Sequence, residues 1–96
     1  MFVLTLLATV AAHDWSAAEL RVVDEAGRGL SAVALTLRTK ERQRPLGVTD
    51  ALGWSGLMIL PPHSSITAAL PGYSAATVAL EGGREALFIT LKKEAK

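Results

Sequence analysis

Apolar and polar residues alternate in short runs along this chain, and that alternation is what most limits the folds open to it. In residues 33–38, VALTLR, every second side chain is a branched aliphatic one. A strand places successive side chains on opposite faces, so this spacing predicts one buried and one solvated face. Seven such runs, separated by turn-forming residues, fit between residues 19 and 92. The sequence therefore predicts an all-β, seven-stranded sandwich formed by one domain.

The length, charge and cysteine content of the chain exclude several classes of function. The 96 residues carry a formal net charge of +1, which gives no electrostatic reason to expect nucleic-acid binding. The sequence has no Cys, so disulfides, thiolate metal sites and a cysteine nucleophile are excluded. Neither paired carboxylates nor a strand–turn–helix nucleophile motif stands out. We therefore expect no catalysis and no cofactor.

Turn-forming residues mark the ends of the predicted strands. The Asp50 side chain is placed to accept backbone N–H bonds in the turn that closes at Gly53. Pro71 and Gly72 form another turn pair. We expect Gly29, Gly53 and Gly72 to adopt positive φ, which glycine does at little steric cost.

Five motifs follow one another between Leu20 and Leu91: VVDEAGRGLSAVALTL, GVTDALG, LPP, LPGY and LFITL. In this order they resemble the carboxypeptidase regulatory-like family of transthyretin-like β-sandwiches. The resemblance implies a Greek-key sandwich of immunoglobulin-like architecture. It also implies a non-catalytic module that serves secreted, periplasmic or surface proteins as an accessory, spacing or binding unit. Tyr73 would stand at a corner, where its ring can be buried and its hydroxyl can form a hydrogen bond.

The chain departs from related patterns at several points. His63 stands where the family usually has a glycine, and Ser64 or Ser65 stands where it usually has an aromatic residue. The sequence ends in KEAK rather than in the Tyr-Arg-Gly-Ser motif of the transthyretin-related hydroxyisourate hydrolases. It also has no Asn for the Lys–Asn isopeptide bond of collagen-adhesin B-type domains. The last two departures argue against both of those chemistries.

Residues 1–12, MFVLTLLATVAA, are apolar except for two threonines. The run is too short to span a bilayer and suits a signal peptide cut before His13, or as late as after residue 18. No Lys or Arg precedes it, so the alternative is an N-terminal strand or helix packed on the domain. The favoured interpretation predicts a periplasmic or secreted protein, with a domain over residues 19–92 and a charged tail over residues 93–96. Its partner would be a protein or a surface polymer of the cell envelope.

The two histidines are the candidate metal ligands. If the chain were cut before His13, the new terminal amine and the imidazole could together bind copper or nickel, and His63 could add a ligand. This would make the chain a periplasmic metal-binding sandwich. The alternative is that neither histidine binds a metal, with His13 in an N-terminal extension and His63 in an exposed turn.

A basic strip is the candidate contact for an anionic partner. Arg38, Lys40, Arg42 and Arg44 occupy every second position of a polar segment. If that segment is extended, all four side chains point to one side and could contact lipid headgroups, polysaccharide or an acidic protein. The favoured alternative is a soluble hairpin whose charges protect an edge strand.

The two tryptophans are candidate platforms for carbohydrate, because their rings can stack on the apolar faces of sugars. Trp15 lies close to the apolar N-terminal run. Trp54 opens the fourth predicted strand, and we expect it to be buried in the core of so small a sandwich.

Overall fold

The computed structural model describes residues 15–94, and within that range the chain is all-β. No helix among these residues is long and apolar enough to cross a membrane. The strands are β1 (Ser16–Val23), β2 (Ala34–Arg38), β3 (Gln43–Val48), β4 (Trp54–Leu60), β5 (Ser65–Ala69), β6 (Ala76–Ala79) and β7 (Gly83–Thr90). The prediction of a seven-stranded, all-β fold is confirmed.

The strands form two sheets that face each other. Sheet A has the order β4-β1-β7, and sheet B has the order β3-β2-β5-β6. All neighbours are antiparallel except β1 and β7, which run parallel. The chain crosses between the sheets after β1, β3, β4 and β6, which gives the Greek-key sandwich expected from the sequence.

The core is a layer of aliphatic side chains between the sheets. Alternation along β1 sends Leu20 and Val22 inward, and both are fully buried. The same spacing in β2 buries Leu35 and Leu37. The buried cluster consists of Ala18, Leu20, Val22, Val33, Leu35, Leu37, Leu60, Ile66, Ala68, Leu80, Ile89 and Leu91. No aromatic residue belongs to this cluster, so packing of branched side chains holds the sheets together.

Strand β1 begins at Ser16, three residues before the expected start of the domain. Ser16 is fully buried and pairs with both Leu60 and Gly83. Ala18 is also fully buried in the core. A cut after residue 18 would therefore remove buried residues from β1. The predicted signal peptide itself, residues 1–12, lies outside the described residues.

Two turns of the form Asp-x-x-Gly have the same geometry. Oδ1 of Asp24 accepts the backbone N–H groups two and four residues later, at 2.9 and 3.0 Å. Oδ1 of Asp50 does the same, at 2.9 Å in both cases. In each turn the glycine amide, of Gly27 or Gly53, bonds to the carbonyl of the aspartate. The role predicted for Asp50 is confirmed, and Asp24 repeats it.

The two turns touch at Gly29, which does not have the positive φ expected for it. The residues with positive φ here are Gly27 (84°) and Gly53 (91°). A Cβ on Gly29 would instead overlap the carbonyl group of Leu52, and one on Gly53 would overlap the carbonyl oxygen of Val22. Gly29 is therefore required because two backbone segments approach closely, and the expectation about its φ was wrong.

The remaining turns carry the other predicted structural residues. Gly72 has φ of 89°, and Tyr73 N donates to Leu70 O at 3.0 Å, as the Pro71-Gly72 turn pair predicts. The Tyr73 ring is partly buried against the core. Lys93 pairs with Tyr73 through an isolated bridge, so the backbone of the predicted charged tail is tied to this turn at its start.

Replacing Gly29 with Ala should destabilise the domain by about 3 kcal/mol, because the new methyl group meets backbone that no rotamer change can move. Gly27→Ala is the matched control: its Cβ would contact nothing within 4 Å, so only the strain of positive φ remains, about 1 kcal/mol. Urea unfolding of both variants measures the difference. Equal losses would show that the close approach of the two turns contributes nothing.

Candidate binding face

The outer face of sheet A presents a regular grid of three rows across three strands. In each row, a β1 residue stands between its partners on β4 and β7. The rows are Ile59-Ala17-Arg84, Leu57-Glu19-Ala86 and Trp54-Arg21-Phe88. Six of these nine side chains are apolar, on a face that alternation would normally leave polar. We call this set the outer face of sheet A.

Large apolar side chains on this face are exposed. Leu57 is 69% exposed, Ile59 63% and Phe88 65%. Single exposed apolar residues are common in proteins, whereas a contiguous group on one surface typically marks an interaction site. Sequence reasoning missed this group. The available signal was the run LMIL in β4, whose two faces are both apolar.

A β-bulge in β4 explains why Trp54 belongs to this face. The register against β1 shifts between Glu19, which pairs with Leu57, and Arg21, which pairs with Trp54. Gly56, with φ of 79°, lies inside the irregular stretch. The bulge adds a residue, so Trp54 points to the same side as Leu57 although the spacing is odd. The prediction that Trp54 lies in the core is therefore wrong.

Trp54, Arg21 and Phe88 form a cluster at one end of the face. The Trp54 and Phe88 rings meet edge to face, with centroids 6.1 Å apart and planes at 67°. The Arg21 guanidinium carbon lies 5.7 Å from the centroid of the Trp54 ring. Arg21 Nε also donates to Leu52 O at 3.0 Å. These contacts fix the orientation of the arginine and of the two rings.

The Asp50 turn fixes the backbone of two residues that contact this cluster. Trp54 N donates to Oδ1 of Asp50, and Leu52, whose carbonyl binds Arg21, donates its own N–H to the same oxygen. Both hydrogen bonds favour the ionised carboxylate and lower the pKa of Asp50 from its ordinary value of 3.8, the bond from Trp54 contributing most. Likewise the backbone bond from Arg28 is the main cause that lowers the pKa of Asp24.

A shallow trough of about 510 Å³ lies on the face itself, at the end away from Trp54. It is lined by the small side chains of Ala17 and Ala86 and by Glu19, Leu57 and Arg84. Glu85 also lines it, and its carboxylate accepts a hydrogen bond of 2.9 Å from the Ser16 hydroxyl. The trough therefore combines apolar side chains with charged groups.

The predicted basic strip forms only in part, because its segment is not extended: Arg38, Lys40 and Arg42 line one shallow pocket at the turn, and Arg44 does not. The chain reverses between β2 and β3, where Thr39 N donates to Arg42 O at 2.9 Å. Arg38 pairs with Gln43, and Arg44 pairs with the inward-facing Leu37. Paired residues share a face, so Arg38 and Arg44 lie on opposite sides of sheet B. Lys40 and Arg42 lie in the exposed turn between them.

The histidines are not brought into a metal site within the described residues. His13 lies outside them. His63 is exposed in the turn after β4 and has φ of 57°. Among residues 15–94, no three His, Asp or Glu side chains are grouped as they would be to hold a metal ion. The copper or nickel site that would use His13 stays a prediction.

Comparison with protein-family models found no match, and no curated protein matches the chain. Similar solved structures include the Bacillus anthracis TIE protein (TM-score 0.59, 12% identity) and 3-chlorocatechol 1,2-dioxygenase from Rhodococcus opacus 1CP (0.64, 14%). A streptococcal ancillary pilin is also similar (0.55, 15%). The matches cover 83, 84 and 83% of this chain but only 17, 61 and 33% of the other three, respectively.

At these identities the likeness concerns the fold alone. The TIE protein and the ancillary pilin contain β-sandwich domains, which is consistent with a transthyretin-like fold for this chain. The chain spans less than two thirds of the length of each structure named above.

Acidification should loosen the two Asp turns. A carboxyl whose pKa is lower in the folded state stabilises the fold above its unfolded pKa, and this contribution is lost as the pH falls through the folded pKa. We therefore expect the urea midpoint to fall below pH 3.8. An Asp24→Asn/Asp50→Asn variant should be less stable at neutral pH and should lose less stability on acidification.

A Glu25→Gln/Glu41→Gln variant is the control, since it removes the same number of negative charges from exposed positions outside these hydrogen bonds. If this variant flattened the pH dependence as much as the aspartate variant did, net charge rather than the turns would be the cause. In a Trp15→Phe background, Trp54 is the one tryptophan, and its emission should report the same unfolding midpoint at each pH.

Proposed function

We propose that this chain is a non-catalytic, extracytoplasmic binding module that contacts its partner through the outer face of sheet A. The observation that carries the proposal is the concentration of exposed Leu57, Ile59 and Phe88 beside Trp54 on one face. Aromatic and aliphatic side chains with a few charged neighbours are typical of the central part of protein interfaces.

The rigidity of the face supports a binding role. Behind the grid, β1 is hydrogen-bonded on both sides and its inward side chains are buried. Arg21 is held by Leu52 and Trp54, so its charge and its donors have a fixed position. A preorganised face loses little conformational entropy when a partner binds. This is the arrangement expected of a site that recognises a partner without changing shape.

We further propose that the module belongs with the carboxypeptidase regulatory-like domains. The order of the five motifs supports this, and so does the turn at His63. The family usually has glycine at this position, and His63 has the positive φ, 57°, that glycine would adopt there. The location outside the cytoplasm is supported by the apolar run of residues 1–12. The similar fold of an ancillary pilin fits such a location.

A second candidate partner is carbohydrate, favoured by the placement of the aromatic residues. Trp54 and Phe88 stand on the outer face rather than in the core, and Trp15, 47% exposed, lies directly before β1. Flat β-sheet faces with exposed rings can stack on sugars, with charged neighbours such as Glu19 and Arg84 offering hydrogen bonds. The Arg21 guanidinium lies over one side of the Trp54 ring, which leaves Phe88 as the more accessible ring for stacking.

Leu57→Lys should abolish or strongly weaken partner binding without unfolding the domain, because it places a charge in the middle row of the face. A loss of about 2 kcal/mol or more, the effect of a central interface residue, is expected. Wild-type and variant chains would be used to capture proteins from cell-envelope extract. The captured protein would then be identified, purified and titrated with each chain to compare the affinities.

Val48→Lys is the matched control, since Val48 is 61% exposed but lies on sheet B. Circular dichroism checks that both variants are folded. Equal binding by wild type and Leu57→Lys, or equal loss in both variants, would overturn the assignment of the binding face.

Oligosaccharides of the envelope should quench Trp54 emission in a Trp15→Phe background if carbohydrate is the partner. Phe88→Ala should then weaken the affinity by about 1 kcal/mol or more, since it removes the accessible ring from the contact. An unchanged emission spectrum, together with no heat of binding when the same oligosaccharides are titrated in a calorimeter, would contradict the carbohydrate candidate and leave the protein-binding proposal standing.

A further inference from the structure

Each sheet ends in two edge strands, and β7 differs from the other three edges. Within residues 15–94, β4 and β7 have one hydrogen-bonded neighbour each in sheet A, as β3 and β6 have in sheet B. An edge strand leaves a row of backbone N–H and C=O groups without a strand partner, and proteins usually prevent further pairing there. The features that block pairing differ from strand to strand.

Three of the edges carry such features. Strand β3 contains Pro45, and its pairing with β2 is irregular beside Gly47, whose φ is 121°. Strand β4 contains the bulge at Gly56 and is followed directly by two prolines, residues 61–62. Strand β6 has only four residues. Proline, bulges and short length each disfavour the addition of another strand.

Strand β7 has none of these features after its first residue, Gly83, whose φ is 76°. It is eight residues long, contains no proline and keeps an unbroken register with β1 from Gly83 to Thr90. Its charged residues, Arg84 and Glu85, lie near its beginning, and residues 86–90, ALFIT, are uncharged. Such a stretch has high β-propensity and presents a regular edge for pairing.

We propose that a second copy of this chain pairs its β7 antiparallel to this β7, so that two three-stranded sheets become one sheet of six strands. The sequence of β7 permits this pairing. In an antiparallel pair about a two-fold axis, a register centred on Ala86 or Leu87 brings no like charges opposite each other. Registers centred on Arg84 or Glu85 would oppose identical charges and are disfavoured.

The carboxylate of Glu85 is also kept away from the new contact. Ser16 Oγ donates to Glu85 Oε2 at 2.9 Å, and the backbone amides of Glu81 and Gly82 donate to the same carboxylate at 3.1–3.3 Å. The group therefore has its hydrogen bonds within its own chain. When another strand approaches and displaces water, the carboxylate therefore keeps its hydrogen-bond partners.

Pairing would also join the outer faces of the two sheets. When Leu87 lies on the two-fold axis, Ala86 lies opposite Phe88 of the second copy. When Ala86 lies on the axis, Arg84 lies opposite that Phe88. Either arrangement covers part of the exposed Phe88 ring and extends the outer face across both copies. The inference stands on the properties of the β7 edge and does not require the proposed partner.

Sedimentation velocity of the full chain over a range of concentrations tests the pairing. Wild type should show a monomer–dimer equilibrium, and Ala86→Lys should weaken it by at least tenfold, or about 1.4 kcal/mol. The added lysines lie close together across the two-fold axis and repel each other. Leu57→Lys is the matched control: it adds the same charge to the same face, on β4, and should leave the dimer intact.

Hydrogen exchange gives a second measurement that does not depend on a variant. The amides of residues 86–90 that do not bond to β1 should exchange more slowly in concentrated than in dilute protein, whereas those of β3 should not change. A monomer at every concentration would overturn the proposal. So would a dimer that Ala86→Lys leaves intact, or one that Leu57→Lys dissociates, since the latter would indicate pairing through the faces. None of these outcomes requires the partner, so a failure here leaves the proposed function open to its own test.

Discussion

Burial of an aliphatic layer between two small sheets is the interaction on which this fold depends. The chain has no Cys and hence no disulfide, so stability comes from packing and from strand pairing. Leu20, Ile66 and Leu91 are fully buried in that layer, and each such side chain contributes about 1.5–3 kcal/mol relative to an exposed one. A domain of this size buries a modest fraction of its surface, and therefore few of these positions can be lost. The aromatic residues Trp54 and Phe88 contribute to the surface instead of the core.

The central position of β1 explains why the fold also depends on distant contacts. Its register with β7 joins Ser16 to Gly83 and Val23 to Thr90, so the first and last strands of the described chain lie side by side. The approach of the Gly29 and Gly53 turns fixes the same strand at one end, because Val22 bonds to Gly53 and to Leu30. Contacts between residues so far apart in the sequence close slowly, and the domain should fold more slowly than one built from neighbouring hairpins.

The features that could be predicted from the sequence are those set by local rules. Alternation located the strands and most of the buried face, and the Asp-x-x-Gly spacing predicted how Asp50 would bond. The outward position of Trp54 could not be read in this way, because the bulge at Gly56 changes the face without leaving an apolar signal. Gly29 was identified as special for the wrong reason, since its constraint comes from the carbonyl of Leu52 on another turn. The outer face of sheet A was missed because its apolar group forms only when three strands are aligned, one of them parallel.

The parallel pairing of β1 with β7 has a consequence for biosynthesis. Sheet A lacks one of its three strands until residues 83–90 have left the ribosome, by which time almost the whole domain has been translated. Until then β1 has at most one hydrogen-bonded neighbour, β4. The order of strands in the sheet thus delays the completion of sheet A until almost all of residues 15–94 have been translated.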